Sequence, residues 1–144
     1  MPEGEYSVRF YQTTTGDKPV LRWIKAELTV RQRRALGYAL FRLLQRYGVG
    51  VCDTEFGRQL GGGLFEFRLR LTPSRDGEAA VLRVYCHATR GRVILLLGGH
   101  DKSRRPGRKH QDREIALARR PLREYLVRRV ETPDVSPDDG GYDV

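Results

Sequence analysis

The sequence contains few cysteines and no long apolar segment. Only Cys52 and Cys86 occur, which excludes a framework of several disulfides and a zinc site of four cysteines. The first residues, MPEGEYSV, lack the apolar stretch of a signal peptide, and no apolar run approaches the ~20 residues that span a bilayer. These absences predict a cytoplasmic protein with reduced thiols and no membrane partner.

Several catalytic signatures are also missing. The sequence has no phosphate-binding P-loop, no G-x-S-x-G nucleophile motif and no spaced set of histidines and cysteines for a metal ion. The predicted strands carry no pair of acids of the kind that metal-dependent nucleases use. The two cysteines lack the context of a nucleophile. We therefore expect neither a cofactor nor a metal.

Positive charge is what the chain has in excess. The formal net charge is +9. Residues 131–144 contain five acids and no base, so that removing their five negative charges leaves +14 on residues 1–130. A body this basic attracts polyanions, namely nucleic acid, an anionic membrane or an acidic protein. A drift of composition toward arginine, without a binding role, is the alternative.

Hydrophobic periodicity predicts one α+β domain over residues 1–130. The predicted order is strand, two helices, three strands, helix (β-α-α-β-β-β-α), with a small antiparallel sheet and the two N-terminal helices on one of its faces. Thr29 and Gln32 have the spacing of a capping box at the start of the second helix, and Gly48 is expected to end it.

The other segments are predicted from their glycines, prolines and acidic residues, which disfavour regular helices and strands. Residues 48–63 contain six glycines and are expected to form a long loop. The last helix is expected from about His110 to Tyr125, and Pro121 should kink or split it. The acidic tail, residues 131–144, is predicted to be disordered.

The three middle strands carry a polar face. They are predicted at Leu64–Arg70, Arg83–His87 and Val93–Lys102. Because strand side chains alternate between faces, Arg68 shares a face with Arg70, and Arg83 shares a face with Tyr85 and His87. A sheet with one apolar face and one face of Arg, Tyr and His suits a phosphate-rich partner such as RNA.

The order of these elements, together with several short motifs, resembles the RelE/ParE toxin superfamily, and within it the phage-derived HigB-like branch. The resemblance covers residues 5–127. The motifs that carry it are SVRFY, KPVLRWIKAEL, RLLQRYG, the loop Gly61-Gly62-Gly63, LFEFR, RVYCH, VILLLGGHDK and EIALA. The chain departs from the family where G-F-x-K-K is frequent and Gly99-His100-Asp101-Lys102-Ser103 stands here, and in its acidic tail.

The resemblance implies a RelE-like fold and a toxin of a type II toxin–antitoxin system. Members of this family are small basic proteins, and many cleave mRNA in the ribosomal A site. The implied partners are therefore mRNA, the ribosome and a cognate antitoxin of the helix-turn-helix type. The implied activity is that of a ribosome-dependent endoribonuclease, or mRNA interferase.

Metal-free RNA cleavage needs a base for the 2′-hydroxyl, cations for the charge on the phosphate and an acid for the leaving oxygen. Arginine stays charged, so arginines can act only as electrostatic clamps. A lysine or histidine surrounded by cations can lose its proton near neutral pH and act as the base. The predicted catalytic residues are Arg68, Arg83, His100 and Lys102. The predicted RNA-binding residues are Arg58, Arg70, Tyr85, His87, Arg104, Arg105, Arg108 and Lys109.

Each of these assignments has a structural alternative. Tyr85 can stack on a base or simply pack in the domain, and the histidines can serve local structure. Glu66 is interpreted as an ion-pair partner that orients the arginines. Two other functions also remain open: a ParE-like toxin that inhibits DNA gyrase, and an RNA-binding or ribosome-binding module without activity.

Overall fold

The computed structural model describes residues 5–75, 77–104 and 106–131. The elements are β1 (Ser7–Phe10), α1 (Pro19–Glu27), α2 (Val30–Ala39), a π-helical turn (Leu40–Leu44) and a last helical turn (Gln45–Tyr47) that continue α2, a 3-10 helix (Gly48–Asp53), β2 (Gly57–Gly61), β3 (Leu64–Leu71), β4 (Ala80–Ala88), β5 (Val93–Asp101) and α3 (Arg108–Glu131). The fold is therefore a mixture of helices and strands, as expected.

The five strands form one mostly antiparallel sheet. Their spatial order is β1-β5-β4-β3-β2. The β3–β4 and β4–β5 pairs are antiparallel, which confirms the predicted unit of three consecutive strands. β1 lies parallel to β5 at one edge, and β2 lies antiparallel to β3 at the other.

The prediction of a long loop over residues 48–63 is wrong. This segment forms the 3-10 helix and β2, and the sheet has one strand more than expected. The glycines are needed where other groups pack closely against the backbone and where the chain turns. A Cβ atom at Gly48 would lie 2.5 Å from the ring of Tyr6, and one at Gly57 would lie 2.8 Å from the backbone of Val51. The three glycines of the β2–β3 connection have positive φ angles, as a tight turn requires.

The helices cover both faces of the sheet. α1 and α2 pack on one face through a core that includes Ile24, Leu36, Phe67 and Leu96. α3 packs on the opposite face, where Ala118 and Leu122 contact a smaller apolar cluster formed by residues of β3, β4 and β5 and by Tyr11, which follows β1. α3 therefore covers part of the face whose Arg, Tyr and His side chains were expected to suit a phosphate-rich partner, and the buried residues there are not available to one.

Local signals predicted the helix ends well. Thr29 Oγ1 accepts a hydrogen bond from the backbone N–H of Gln32 (3.1 Å), and the Gln32 side chain accepts one from Thr29 (2.9 Å). The helical run ends at Tyr47, just before Gly48. The capping box and this helix end are confirmed.

α3 is one helix through Pro121, so the expected split does not occur. Ala118 and Leu122 are buried on either side of the proline, and Arg119 donates hydrogen bonds to the carbonyls of Leu60 and Gly61. These contacts offset the loss of one backbone hydrogen bond. Glu131 ends the helix, and the rest of the predicted tail, residues 132–144, lies outside the described residues. In the described part of the chain, no helix has the length and apolarity to cross a membrane.

Candidate functional site

The strand register places the candidate residues in rows across the sheet. Arg68 of β3 pairs with Arg83 of β4, and Arg83 pairs with His100 of β5. Because paired residues share a face and neighbouring strands lie ~5 Å apart, these three side chains form one row on the face covered by α3. The adjacent row contains Glu66 and Tyr85.

Glu66 is the centre of a buried ionic cluster. Its carboxylate has no exposed surface and lies 3.2 Å from Arg83 Nη1, 3.4 Å from Arg68 Nε and 3.7 Å from Arg58 Nη2. The side chain of Gln111, in the first turns of α3, donates a further hydrogen bond of 3.1 Å to the same carboxylate. We call Arg58, Arg68 and Arg83 around Glu66 the arginine cluster. Its ion pairs match the orienting role interpreted for Glu66.

The three arginines differ in their access to solvent. The side chain of Arg83 is 5% exposed, that of Arg68 is 25% exposed and that of Arg58 is 50% exposed. A phosphate approaching from solvent therefore meets Arg68 and Arg58 directly, while Arg83 acts from behind them. Three cations and one carboxylate leave a net charge of +2, which suits a phosphodiester group.

His100 is buried beside this cluster. It is 7% exposed, and its Nε2 shares a hydrogen bond of 2.9 Å with the hydroxyl of Tyr85. Burial, followed by the neighbouring His110 and Arg83, lowers the pKa of His100 to about 4. The imidazole is therefore neutral at pH 7, a state that can accept a proton but is a weak base.

Tyr85 packs inside the domain, the alternative to its predicted RNA-binding role. It is fully buried, and burial raises the pKa of its hydroxyl well above the usual value. Its ring stacks on His100 with centroids 5.7 Å apart. No surface of the ring is left for a nucleobase, so the predicted stacking role is withdrawn. Tyr85 instead supports the position of His100.

Except for Arg105 and His87, the other predicted residues lie around this site. Lys102 follows β5 and is tied to β4 by its backbone N–H, which donates to Val81 (2.8 Å). The exposed residues near the same end of the sheet are Arg70 on β3, Arg104 after β5, and Arg108 and Lys109 at the start of α3. Arg105 lies outside the described residues.

His87 is the second exception. It lies four positions from Arg83 along β4, roughly 13 Å at ~3.3 Å per residue. Its Nδ1 donates to the carbonyl of Gly63 (2.7 Å), and its ring packs edge-on against Tyr125. His87 therefore fixes the β2–β3 turn and α3, and the structure does not bring it to the arginine cluster.

A polar pocket opens next to His100. It has a volume of about 400 Å³ and lies between α1 and α3, along the outer edge of β5. Its lining residues are Trp23, Glu27, Gly99, His100, Asp101, Arg104, His110 and Glu114. We call it the edge pocket. Sequence reasoning missed Trp23, His110 and Glu114, because no local pattern shows that α1 and α3 meet at this strand.

A second basic surface lies on the far side of the molecule. Tyr38 and Phe41 on the helical run are 64% and 57% exposed, and the guanidinium of Arg42 lies 5.3 Å from the centre of the Tyr38 ring. This run packs on the face of the sheet opposite α3, so these residues do not form one site with the arginine cluster.

The described residues contain no group of three or more His, Cys, Asp or Glu side chains that could hold a metal ion. No protein-family model matches the chain, and no curated protein matches it.

Proposed function

We propose that this protein is a metal-independent endoribonuclease that cleaves mRNA on the ribosome, acting as the toxin of a type II toxin–antitoxin system. The observation that carries the proposal is the row of Arg68, Arg83 and His100 across three strands. It brings two guanidinium groups and a neutral imidazole to one place, in a protein of net charge +9.

Each group has a chemical role in this reaction. Arg68 and Arg58 bind the scissile phosphate, and Arg83 adds charge from behind, so that the cluster stabilises the negative charge of the pentacoordinate phosphate. His100 is unprotonated at pH 7, and its Nδ1, which has no hydrogen-bond partner in the described part of the protein, is the candidate acceptor for the proton of the 2′-hydroxyl. The ammonium group of Lys102 is the candidate donor of a proton to the leaving 5′-oxygen.

The partners belong to the same proposal. The resemblance to the RelE/ParE superfamily points to mRNA, the ribosome and a cognate antitoxin, all in the cytoplasm. Arg70, Arg104 and Lys109 are exposed cations, and their positive charge suits an RNA strand or an acidic surface of an antitoxin.

The test is inducible expression in cells with mapping of transcript 5′ ends. We expect new 5′ ends inside translated codons for the wild type. Arg68→Ala should lower cleavage by about 10²–10³-fold, the typical cost of removing one donor to a charged transition state. Arg90→Ala is the matched control, because Arg90 is an exposed arginine in the turn between β4 and β5, and it should cleave like the wild type.

Unchanged cleavage in Arg68→Ala, with the variant folded like the wild type, would reject the arginine cluster as the catalytic site. Intact transcripts accompanied by gyrase-linked DNA damage would replace the proposal with a gyrase-inhibiting toxin.

A second candidate is an RNA-binding or ribosome-binding module without nuclease activity. The observation that favours it is the burial of Arg83 and His100, which are 4% and 7% exposed and less accessible than reacting groups usually are. In that case ribosomes would co-purify with the protein while transcripts stay intact.

A further inference from the structure

The edge pocket is built where β5 loses its outer neighbour. β1 pairs with β5 only as far as Leu96, so the segment from Leu97 to Asp101 forms an edge. α1 supplies one wall of the pocket through Trp23, and α3 supplies the other through His110. Its volume of about 400 Å³ lies in the range of small-molecule sites.

The chemistry of the lining is unlike the rest of this basic protein. Asp101 is engaged internally, because its Oδ1 accepts hydrogen bonds from the backbone and side chain of Ser103 (2.9 and 2.7 Å). Among the other lining residues, Glu27 and Glu114 are acidic, and Arg104 is the one base besides the two histidines. A phosphate has little reason to enter such a pocket, whereas a neutral ring that donates hydrogen bonds does.

We propose that the edge pocket binds a guanine base. The indole of Trp23 provides an aromatic surface for the ring. The two adjacent donors of guanine, N1–H and the exocyclic amine, match the two oxygens of one carboxylate, and we assign this role to Glu114, which is half-buried. Arg104, which lies 4.0 Å from Glu27, is the donor for the O6 and N7 acceptors of the base.

Guanine fits this set of donors and acceptors better than the other bases. Adenine presents one amine next to a ring nitrogen that accepts hydrogen bonds. The lone pair of that nitrogen would point at the carboxylate and be repelled by it. Uracil presents a single N–H, and cytosine presents one amine. His100 adds a buried Nδ1 that no protein group satisfies, so the wall of the pocket holds unused hydrogen-bonding capacity.

The inference deepens the proposed function and rests on it for the source of the base. His100 belongs both to the edge pocket and to the row that contains Arg68 and Arg83. A guanine held in the pocket would lie against His100, whose neighbour on the adjacent strand is Arg83 of the arginine cluster. The enzyme would then cleave RNA beside guanine.

The test is equilibrium binding of the four ribonucleoside 5′-monophosphates, followed by tryptophan fluorescence. Trp23 is the single tryptophan of the chain, so the signal reports on the pocket itself. We expect saturable quenching by guanosine monophosphate, at least about tenfold tighter than by the other three nucleotides. Glu114→Gln should weaken this binding by about tenfold or more, the usual range for a hydrogen bond to a charged group.

Glu55→Gln is the matched control, because Glu55 is exposed and does not line the pocket. It should bind guanosine monophosphate like the wild type. Five-residue RNA strands with one central guanosine, carrying a 2′-deoxyribose at that position and at the nucleotide before it so that neither adjoining phosphodiester can be cleaved, are titrated beside the same strands with adenosine. A preference for the guanosine strand identifies RNA as the source of the base, whereas a preference only among free nucleotides identifies a free nucleotide.

Equal affinity for all four nucleotides, or an unchanged affinity in Glu114→Gln, would overturn the guanine assignment. The two proposals fail separately. Guanine-selective binding without cleaved transcripts would reject the nuclease proposal and support the guanine pocket. Cleavage at sites without guanine would support the nuclease and reject the guanine pocket.

Discussion

Glu66 ties the stability of the sheet to the geometry of the candidate site. Its carboxylate is fully buried and has three guanidinium partners. Removing one member of a buried ion pair typically costs about 3–5 kcal/mol, because a charge is left without its partner. Variants of Arg83 would therefore mix a loss of stability with any loss of the proposed cleavage activity. Arg68, whose side chain is 25% exposed, is the better residue for testing chemistry.

Burial of His100 also makes stability depend on pH. Its pKa is about 4 in the folded protein against 6.5 as its ordinary value, so the unfolded chain binds the proton more readily. The free energy of unfolding should be fully retained above about pH 6.5 and should fall by up to about 3 kcal/mol as the pH drops to 4. Urea denaturation at several pH values measures this loss.

The variant His100→Gln should lose less stability than the wild type over the same pH window, because its amide does not titrate. If both proteins lose the same amount between pH 6.5 and 4, other groups cause the effect and His100 is not the buried neutral histidine described here.

At the level of single residues, the sequence predicted what alternation controls. It correctly placed Arg68 and Arg83 on one face of the sheet and paired Glu66 with the arginines. It left open whether Tyr85 stacks on a base or packs in the domain, because its burial comes from α3, which packs on the strand from a distant part of the chain.

The strand β5 is held between two helices at a pair of glycines. A Cβ atom at Gly99 would lie 2.6 Å from the ring of Trp23 on α1, and one at Gly98 would lie 3.4 Å from Ala118 on α3. The first distance is too short for any side chain, while the second is an ordinary contact. The pair is therefore needed mainly because α1 approaches the sheet closely at Gly99.

This asymmetry predicts two different mutants. Gly99→Ala should lower the free energy of unfolding by about 1–3 kcal/mol, since an added methyl group in a tight contact forces its neighbours to move. Gly98→Ala should cost less than about 1 kcal/mol. Denaturation followed by Trp23 fluorescence compares them, and equal losses would contradict the close packing of α1 on β5.

Elements whose signals are local were predictable, and those that depend on distant partners were not. The capping box of Thr29 and Gln32 and the helix end at Gly48 are short-range patterns, and both occur. β2 becomes a strand only because it pairs with β3. α3 remains one helix through Pro121 because the sheet buries residues on both sides of it.

For the whole molecule, charge is the property that the sequence predicted most directly. The net charge of +9 indicates a polyanionic partner, but composition cannot show where such a partner binds. The structure concentrates three arginines around one carboxylate on the face that α3 partly covers, and places a separate Arg-and-aromatic surface on the opposite side. Which of these surfaces would serve the proposed RNA partner is a question of geometry that counting charges does not answer.

The most direct test of the account is the salt dependence of binding to a single-stranded RNA. Each phosphate contact should contribute about −0.7 to the slope of log affinity against log salt. If the arginine cluster holds a phosphate, Arg68→Ala should make the slope shallower by about 0.7, and Arg90→Ala should leave it unchanged. A flat salt response in the wild type, or the same slope in all three proteins, would contradict an arginine cluster that binds RNA.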